Sequence, residues 1–418
     1  MADRIKPSVK QLDFLSWEFG VFFHFGIRSF FKGHKDWDGQ EMPAEAFHPS
    51  NLDCEQWIRT GKEAGAGYAI LTAKHHDGFC NWPTKYSEYS VKNTPWKDGK
   101  GDVVAEYVAA CRKYGLKVGL YYSPAQWGEG ADFADARAYD DYFVNQLTEL
   151  LTGYGKLDYL WFDGNGSGKH AYDRERIIGV IRTLQPELCI FEMWDPDTRW
   201  VRNEDGYADM PNPYVVDETD HTTLAFPSGK FDAPRFLPVE CDFTMRNHTW
   251  FDCEDNEETV KSVDELMGIY EMSVGRGANF LIGIGPTAEG VLPQADAQRL
   301  LAFGDAVRRQ YGTPLPGFSA AMQHGNEWMV TAEKSQLVNR LIIREDIQNG
   351  EAVQAYRVYA RLVTTPDRRV CLYHGDTIGH KGICLFSTVR TSEITLEVTR
   401  SDGRAVILSV EPFFVGSE

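Results

Sequence analysis

From residue 17 to about residue 311 the chain alternates short, near-continuously apolar runs with longer amphipathic ones. The runs 19–25, 68–73, 116–122, 157–162, 188–191 and 279–284 are near-continuously apolar, the pattern of strands buried on both faces. Between them, CEQWIRTGKEAGA, DVVAEYVAACRKYG, ARAYDDYFVNQLTELLTGYG, DRERIIGVIRTLQ, TVKSVDELMGIYEMSVG and AQRLLAFGDAVRRQYG carry helical periodicity. Gly115, Gly155 and Gly312 stand where left-handed C-caps belong. Strand-then-helix repetition builds a parallel sheet, and the number of repeats predicts a closed barrel over an open doubly wound sheet. No GxGxxG follows the first strand, which weakens a dinucleotide-binding reading. Between about 195 and 255 the alternation blurs, so strands six and seven are not placed.

After Tyr311 the texture changes. VTAEKSQ, NRLIIRED, AYRVYARLVT, RRVCLYH, TSEITLEVTR and RAVILSVEPFFV are β-rich runs punctuated by Gly, Asn and Asp, the signature of an antiparallel sandwich. The expected fold is therefore α/β: a (β/α)8 TIM-like barrel over residues 1–312, then a C-terminal antiparallel β-sandwich over residues 313–418. No aromatic row marks the sandwich as a carbohydrate binder, so packing against the barrel is its expected role.

Polar, titratable groups recur where the apolar runs end. His24 follows FGVFF; His75, His76 and Asp77 follow YAILTAK; Tyr121, Tyr122 and Ser123 follow LKVGL; Asp163 follows LDYLWF; Glu192 and Trp194 follow LCIF. In a barrel these ends converge on the face where active sites are built. Asp163 could cap a helix, but the glycine-rich WFDGNGSG postpones the next helix to about residue 172 and favours catalysis. KHHDGF admits substrate hydrogen bonds, a structural turn or metal ligands. Consecutive strand residues point to opposite faces, so adjacent histidines make a poorer metal pair than HxH. Candidate carboxyl partners for Asp163 are Glu192, Glu204 and Glu240, and two carboxyls flanking a pocket are the apparatus of glycoside hydrolysis. Trp37, Trp82, Trp127, Trp194, Trp200 and Trp250 are near enough in sequence for some to stack on sugar faces.

Composition narrows the partners. Charged residues at 25% and apolar ones at 43% describe an ordinary globular chain of 418 residues. A net charge of −18 repels phosphate backbones and anionic lipid, so neither nucleic acid nor a membrane surface is expected as partner. The eight cysteines form no CxxC pair and are expected to be mostly free and buried, with a reducing compartment somewhat favoured. MADRIKPSVKQLDFLSWEFG lacks the apolar run of a secretory leader, and compartment stays open between the cytoplasm and, had a leader been removed, the periplasm or exterior. Oligomeric state is not legible.

FGVFFHFG, FHPSNLD followed by AGAGYAILTAKHHDGFCNWPTKYSEYSV, GKGDVV, LKVGLYYSP, LDYLWFDG, RWVRNEDG, PVECDFTMR and SVGRGANFLIGIGP resemble glycoside hydrolase family 29, the α-L-fucosidases. RWVRNEDG and PVECDFTMR look most like the branch acting on α-1,3/1,4-linked fucose. The resemblance implies a retaining exo-fucosidase acting on fucosylated glycans without metal or other cofactor. Asp163 aligns with the nucleophile and Glu204 with that branch's acid/base, with Glu240 in reserve. His24, Asp36, His75, His76 and Tyr121 or Tyr122 would bind fucose hydroxyls, Trp37 and Trp250 would wall its methyl edge, and Arg246 would add a polar contact. Two departures stand out: Asp36 where the family usually has Glu, and Arg202 where it often has Gly, two residues before the expected acid. Double displacement predicts carboxyls roughly 5–5.5 Å apart. The alternatives are a metal-dependent barrel hydrolase using His75 and His76, and a fucose-binding, lectin-like protein without turnover.

Overall fold

A computed structural model describes residues 4–33, 42–126, 135–165, 170–219, 230–247 and 249–416. Eight parallel strands close into a barrel: β1 (Phe19–Phe23), β2 (Tyr68–Lys74), β3 (Lys117–Tyr122), β4 (Tyr159–Phe162), β5 (Cys189–Phe191), β6 (Arg199–Trp200), β9 (Val239–Thr244) and β10 (Asn279–Ile284). Their order around the sheet is β5-β4-β3-β2-β1-β10-β9-β6, and a bridge from Phe191 to Thr198 joins its two edges. The six strands read from sequence are all present. The outer layer is α2 (Cys54–Ala64), α3 (Val103–Tyr114), α4 (Ala136–Gly153), α5 (Arg174–Leu184), α6 (Val263–Ser273) and α7 (Gln294–Tyr311). A helix before the first strand, α1 (Val9–Trp17), opens with a capping box at Ser8 and Gln11 and presses Phe14 and Trp17 against Tyr68 and Tyr159.

Strands six and seven escaped the pattern for physical reasons. β6 has only two residues, too few for a periodicity, and no helix separates it from β5. An antiparallel pair, β7 (Val215–Glu218) with β8 (Lys230–Phe236), lies between β6 and β9, where a regular (β/α)8 barrel carries a crossover helix. The glycines also divide. Gly115 is left-handed at the end of α3, and Gly155 is left-handed one residue beyond the cap of α4. Gly312 is right-handed (φ −71°), its amide donating to the Arg308 carbonyl, so it is no left-handed cap.

The C-terminal domain is antiparallel throughout: β11 (Met322–His324), β12 (Glu327–Glu345), β13 (Val353–Leu362), β14 (Thr365–Gly375), β15 (Gly382–Ser401) and β16 (Ile407–Phe413). Two runs expected as separate strands, VTAEKSQ and NRLIIRED, belong to the single long β12. Irregular register between Thr331/Gln336 and Val338/Arg340 bends its pairing with β15, which is why the sequence reads as two pieces. The domain docks on the barrel through the Ile383 amide to the Gly275 carbonyl (2.8 Å) and through Lys381, whose ammonium donates to both Glu18 oxygens at 2.9 Å.

Candidate active site

Period-two alternation sorts the barrel side chains. Along β4 and just past its end, Tyr159, Trp161 and Asp163 climb the interior in successive layers; on β9, Glu240 and Asp242 do the same. On β3, Tyr121 points inward and Tyr122 outward. At the C-terminal mouth of the barrel, His24, His75, His76, Tyr121 and Asp163 meet Glu204, Asp242 and Trp250 around a cavity of about 80 Å³. A second cavity of about 250 Å³ adjoins it, sharing Trp161, Asp163, Asn165, Glu204 and Asp242 and extending to Phe191 and Trp200.

Asp163 is held by three neighbours. Oδ2 accepts the Tyr121 hydroxyl at 2.9 Å and lies 3.3 Å from His76 Nε2; Oδ1 accepts the Asn165 amide at 2.8 Å. Burial alone would raise its pKa, but the His76 charge and these hydrogen bonds outweigh it and hold the carboxyl below its ordinary range. His76 is itself fixed: Nδ1 is 2.6 Å from Ser123 Oγ, whose own proton goes to the Ala125 carbonyl at 2.7 Å, which leaves Nδ1–H as the donor. His24 and His75 are kept neutral, chiefly by burial; His24 is pushed down to about 3. Their Nδ1 atoms are buried without a hydrogen-bond partner among the described residues.

Aromatic walls complete the site. Tyr121 stacks between Trp161 (5.4 Å, 22°) and His75 (5.3 Å, 12°). Trp250 lies over His24 at 4.8 Å, and a Cβ at Gly283 would fall 2.6 Å from its ring, so β10 needs glycine there. The KHHDGF segment is divided between the cavity and a turn. His75 and His76 face the cavity, whereas Asp77 makes the turn, accepting from the Phe79 amide (2.7 Å) and from Arg28 Nε (3.2 Å). Gly78 at φ +84° closes it, with Gln126 packed where a side chain would be. Among the described residues no group of three or more His, Cys, Asp or Glu is placed to hold a metal ion.

Several expected site residues lie elsewhere. Tyr122 is a correction: it faces the helical layer, its hydroxyl donating to Gln146 Oε1 at 2.6 Å. Arg246 is another: it pairs with Asp296 (2.9 Å) and Asp252 (3.4 Å), bracing the segment that carries Trp250 without lining the cavity. Glu240 is the third: fully buried one layer below the mouth, it accepts from Tyr68, Tyr159 and Trp161, and burial pushes its pKa up to about 7. Glu192 accepts the Trp200 amide at 2.9 Å and pins β6 beside β5. Glu204 is exposed and lines both cavities. Arg202, left-handed at φ +73°, lines a separate pocket. Asp36 and Trp37 lie outside the described residues. Asp242, Asn165, Phe22 and Trp161 were not read from sequence; two-residue spacing from Glu240 toward the strand's end would have found Asp242.

Among the described residues no helix is long and apolar enough to cross a membrane. Of the eight cysteines only Cys371 is exposed; the other seven are buried. The family model for α-L-fucosidases matches residues 6–311. The chain is similar to α-L-fucosidase 1 of Arabidopsis thaliana, with 30% identity over 95% of this chain and 85% of the relative. Among solved structures it resembles a glycoside hydrolase 29 member from a rumen bacterium, with TM-score 0.89 and 31% identity over 100% of this chain and 78% of that one. It also resembles a Ruminococcus gnavus family 29 fucosidase in complex with fucose, with TM-score 0.84 and 25% identity over 99% and 96% of the two chains. The family model over residues 6–311 and the Arabidopsis relative at 30% identity show that the chain belongs to the α-L-fucosidase family of glycoside hydrolases.

Proposed function

We propose that the protein is a retaining exo-α-L-fucosidase that removes terminal α-1,3/1,4-linked fucose from glycans by double displacement. One observation carries the reading: an ionised carboxylate, Asp163, is held by three donors in the cavity wall while a second carboxyl, Glu204, lines the same cavity at its exposed rim. Asp163 attacks the anomeric carbon as the glycosidic bond breaks, and Glu204 protonates the departing oxygen. Glu204 then takes a proton from the water that displaces Asp163. The neutral His24 and His75 offer ring nitrogens to sugar hydroxyls, and Trp250 offers a face to the sugar's apolar edge.

Rates on an aryl α-L-fucoside and on fucosylated oligosaccharides test the roles. Asp163→Asn loses at least about a thousandfold on every substrate. Glu204→Gln loses about 10²–10⁴-fold on oligosaccharides and far less on the aryl fucoside, whose leaving group needs little protonation. Near-wild-type rates in both variants would remove the assignment.

A further inference from the structure

The mouth of the barrel holds a third carboxyl. Asp242 is 3% exposed, lines both cavities together with Asp163 and Glu204, and accepts the Trp200 indole N–H through Oδ1 at 2.6 Å. Its surroundings can be read element by element. His24 after β1, His75 and His76 after β2, Tyr121 on β3 and Asp163 after β4 face the inner cavity with it. Of these, His76 is engaged by Asp163 and Ser123, and His24 and His75 are neutral. From the β6 side come Trp200 and Glu204; below it on β9 is Glu240; β10 sets Leu281 beside it and brings no titratable side chain. Asp163 thus has a compensating imidazole, whereas the charges acting on Asp242 are carboxylates.

We propose that Asp242 is a positioning residue for the catalytic proton: it and Glu204 hold one proton between them, which keeps Glu204 an acid until the glycosidic oxygen draws that proton away. This rests on the reading of Glu204 as acid/base. Burial first, and then the neighbouring Glu204, raise the proton affinity of Asp242 well above that of an ordinary aspartate. Two carboxyls that line the same cavities and act on each other lose their protons in two separated steps. In the first half-reaction the C1–O bond to the aglycone breaks, Asp163 bonds to C1, and the shared proton goes to the leaving oxygen. The pair is then doubly ionised and strongly basic. In the second, water bonds to C1, the bond to Asp163 breaks, and the water's proton restores the pair. The Trp200 bond fixes Oδ1 as an acceptor and leaves Oδ2 to carry the proton.

The test is the pH profile of kcat/KM on a fucosylated oligosaccharide and an aryl fucoside for wild type, Asp242→Asn and Glu204→Gln. Asp242→Asn keeps the acidic limb and moves the basic limb about one pH unit or more toward acid, so at pH near 7 it loses about tenfold on the oligosaccharide while approaching wild-type rates near pH 5. If the asparagine variant does not fold, Asp242→Ser gives the same readout. A basic limb unmoved in Asp242→Asn, or a uniform loss at all pH, overturns the proposal. A basic limb that survives in Glu204→Gln overturns the reading of Glu204. If that limb also vanishes in Asp242→Asn, Asp242 is the acid itself and the positioning role falls.

Discussion

Tyr121 and Tyr122 are neighbours in sequence and serve opposite sides of the barrel wall. LKVGLYY could not say which tyrosine faces the cavity, because a near-continuously apolar strand buried on both faces carries too little polar alternation to set its phase. The structure sets it through Asp163 and Gln146. Removing the Tyr121 hydroxyl takes a donor from the ionised form of Asp163, so its pKa rises. Tyr121→Phe therefore shifts the acidic limb of kcat/KM upward by about one to two pH units, the equivalent of a charged hydrogen bond. Tyr122→Phe leaves that limb in place and lowers stability by about 1 kcal/mol, read by thermal melting. Single strand-end residues such as His24, His75 and Asp163 were legible because polar groups ending apolar runs have few other reasons to be there. Glu240 misled because a carboxylate in a barrel floor looks the same in sequence as one at its mouth.

At the scale of elements, the segment after β9 shows how a residue can matter to a site without lining it. Arg246 ties this segment to Asp296 at the start of α7 and to Asp252, and Trp250 rides between. Arg246→Ala should raise KM for an aryl fucoside about tenfold, with kcat less affected, since the loosened Trp250 binds ground state and transition state alike. A fall in kcat with KM unchanged would contradict this role. Strands lying in runs of four or more apolar positions were legible. β6 was not, since its two residues are held by pairing with β9 and by Glu192, long-range contacts that leave no local trace.

The whole molecule depends on the seam between barrel and C-terminal domain. Glu18, left-handed at φ 56°, takes both bonds of Lys381, and Tyr270 adds a third partner. Burial would raise the Glu18 pKa, but the Lys381 charge and the hydrogen bonds hold it below the usual 4.5. A depressed carboxylate contributes stability above its unfolded pKa and loses it as pH falls through the folded one. Lys381→Met should therefore cost about 1.5–3 kcal/mol at neutral pH, and the difference from wild type should shrink below about pH 4. Melting curves across pH check it; a difference constant down to pH 3 would contradict it. Neither partner marks this seam in sequence, because 363 residues separate them.

As nucleophile, Asp163 would form a covalent bond to fucose, and trapping reads that bond. Incubation with a 2-deoxy-2-fluoro-α-L-fucosyl donor bearing a good leaving group, followed by proteolysis and mass spectrometry, reads the adduct; proton NMR of the first-formed sugar from an unmodified substrate reads stereochemistry. Double displacement leaves one fluorofucosyl unit on the peptide containing Asp163 and gives α-fucose as the first product. β-Fucose released with no adduct at Asp163 would contradict double displacement.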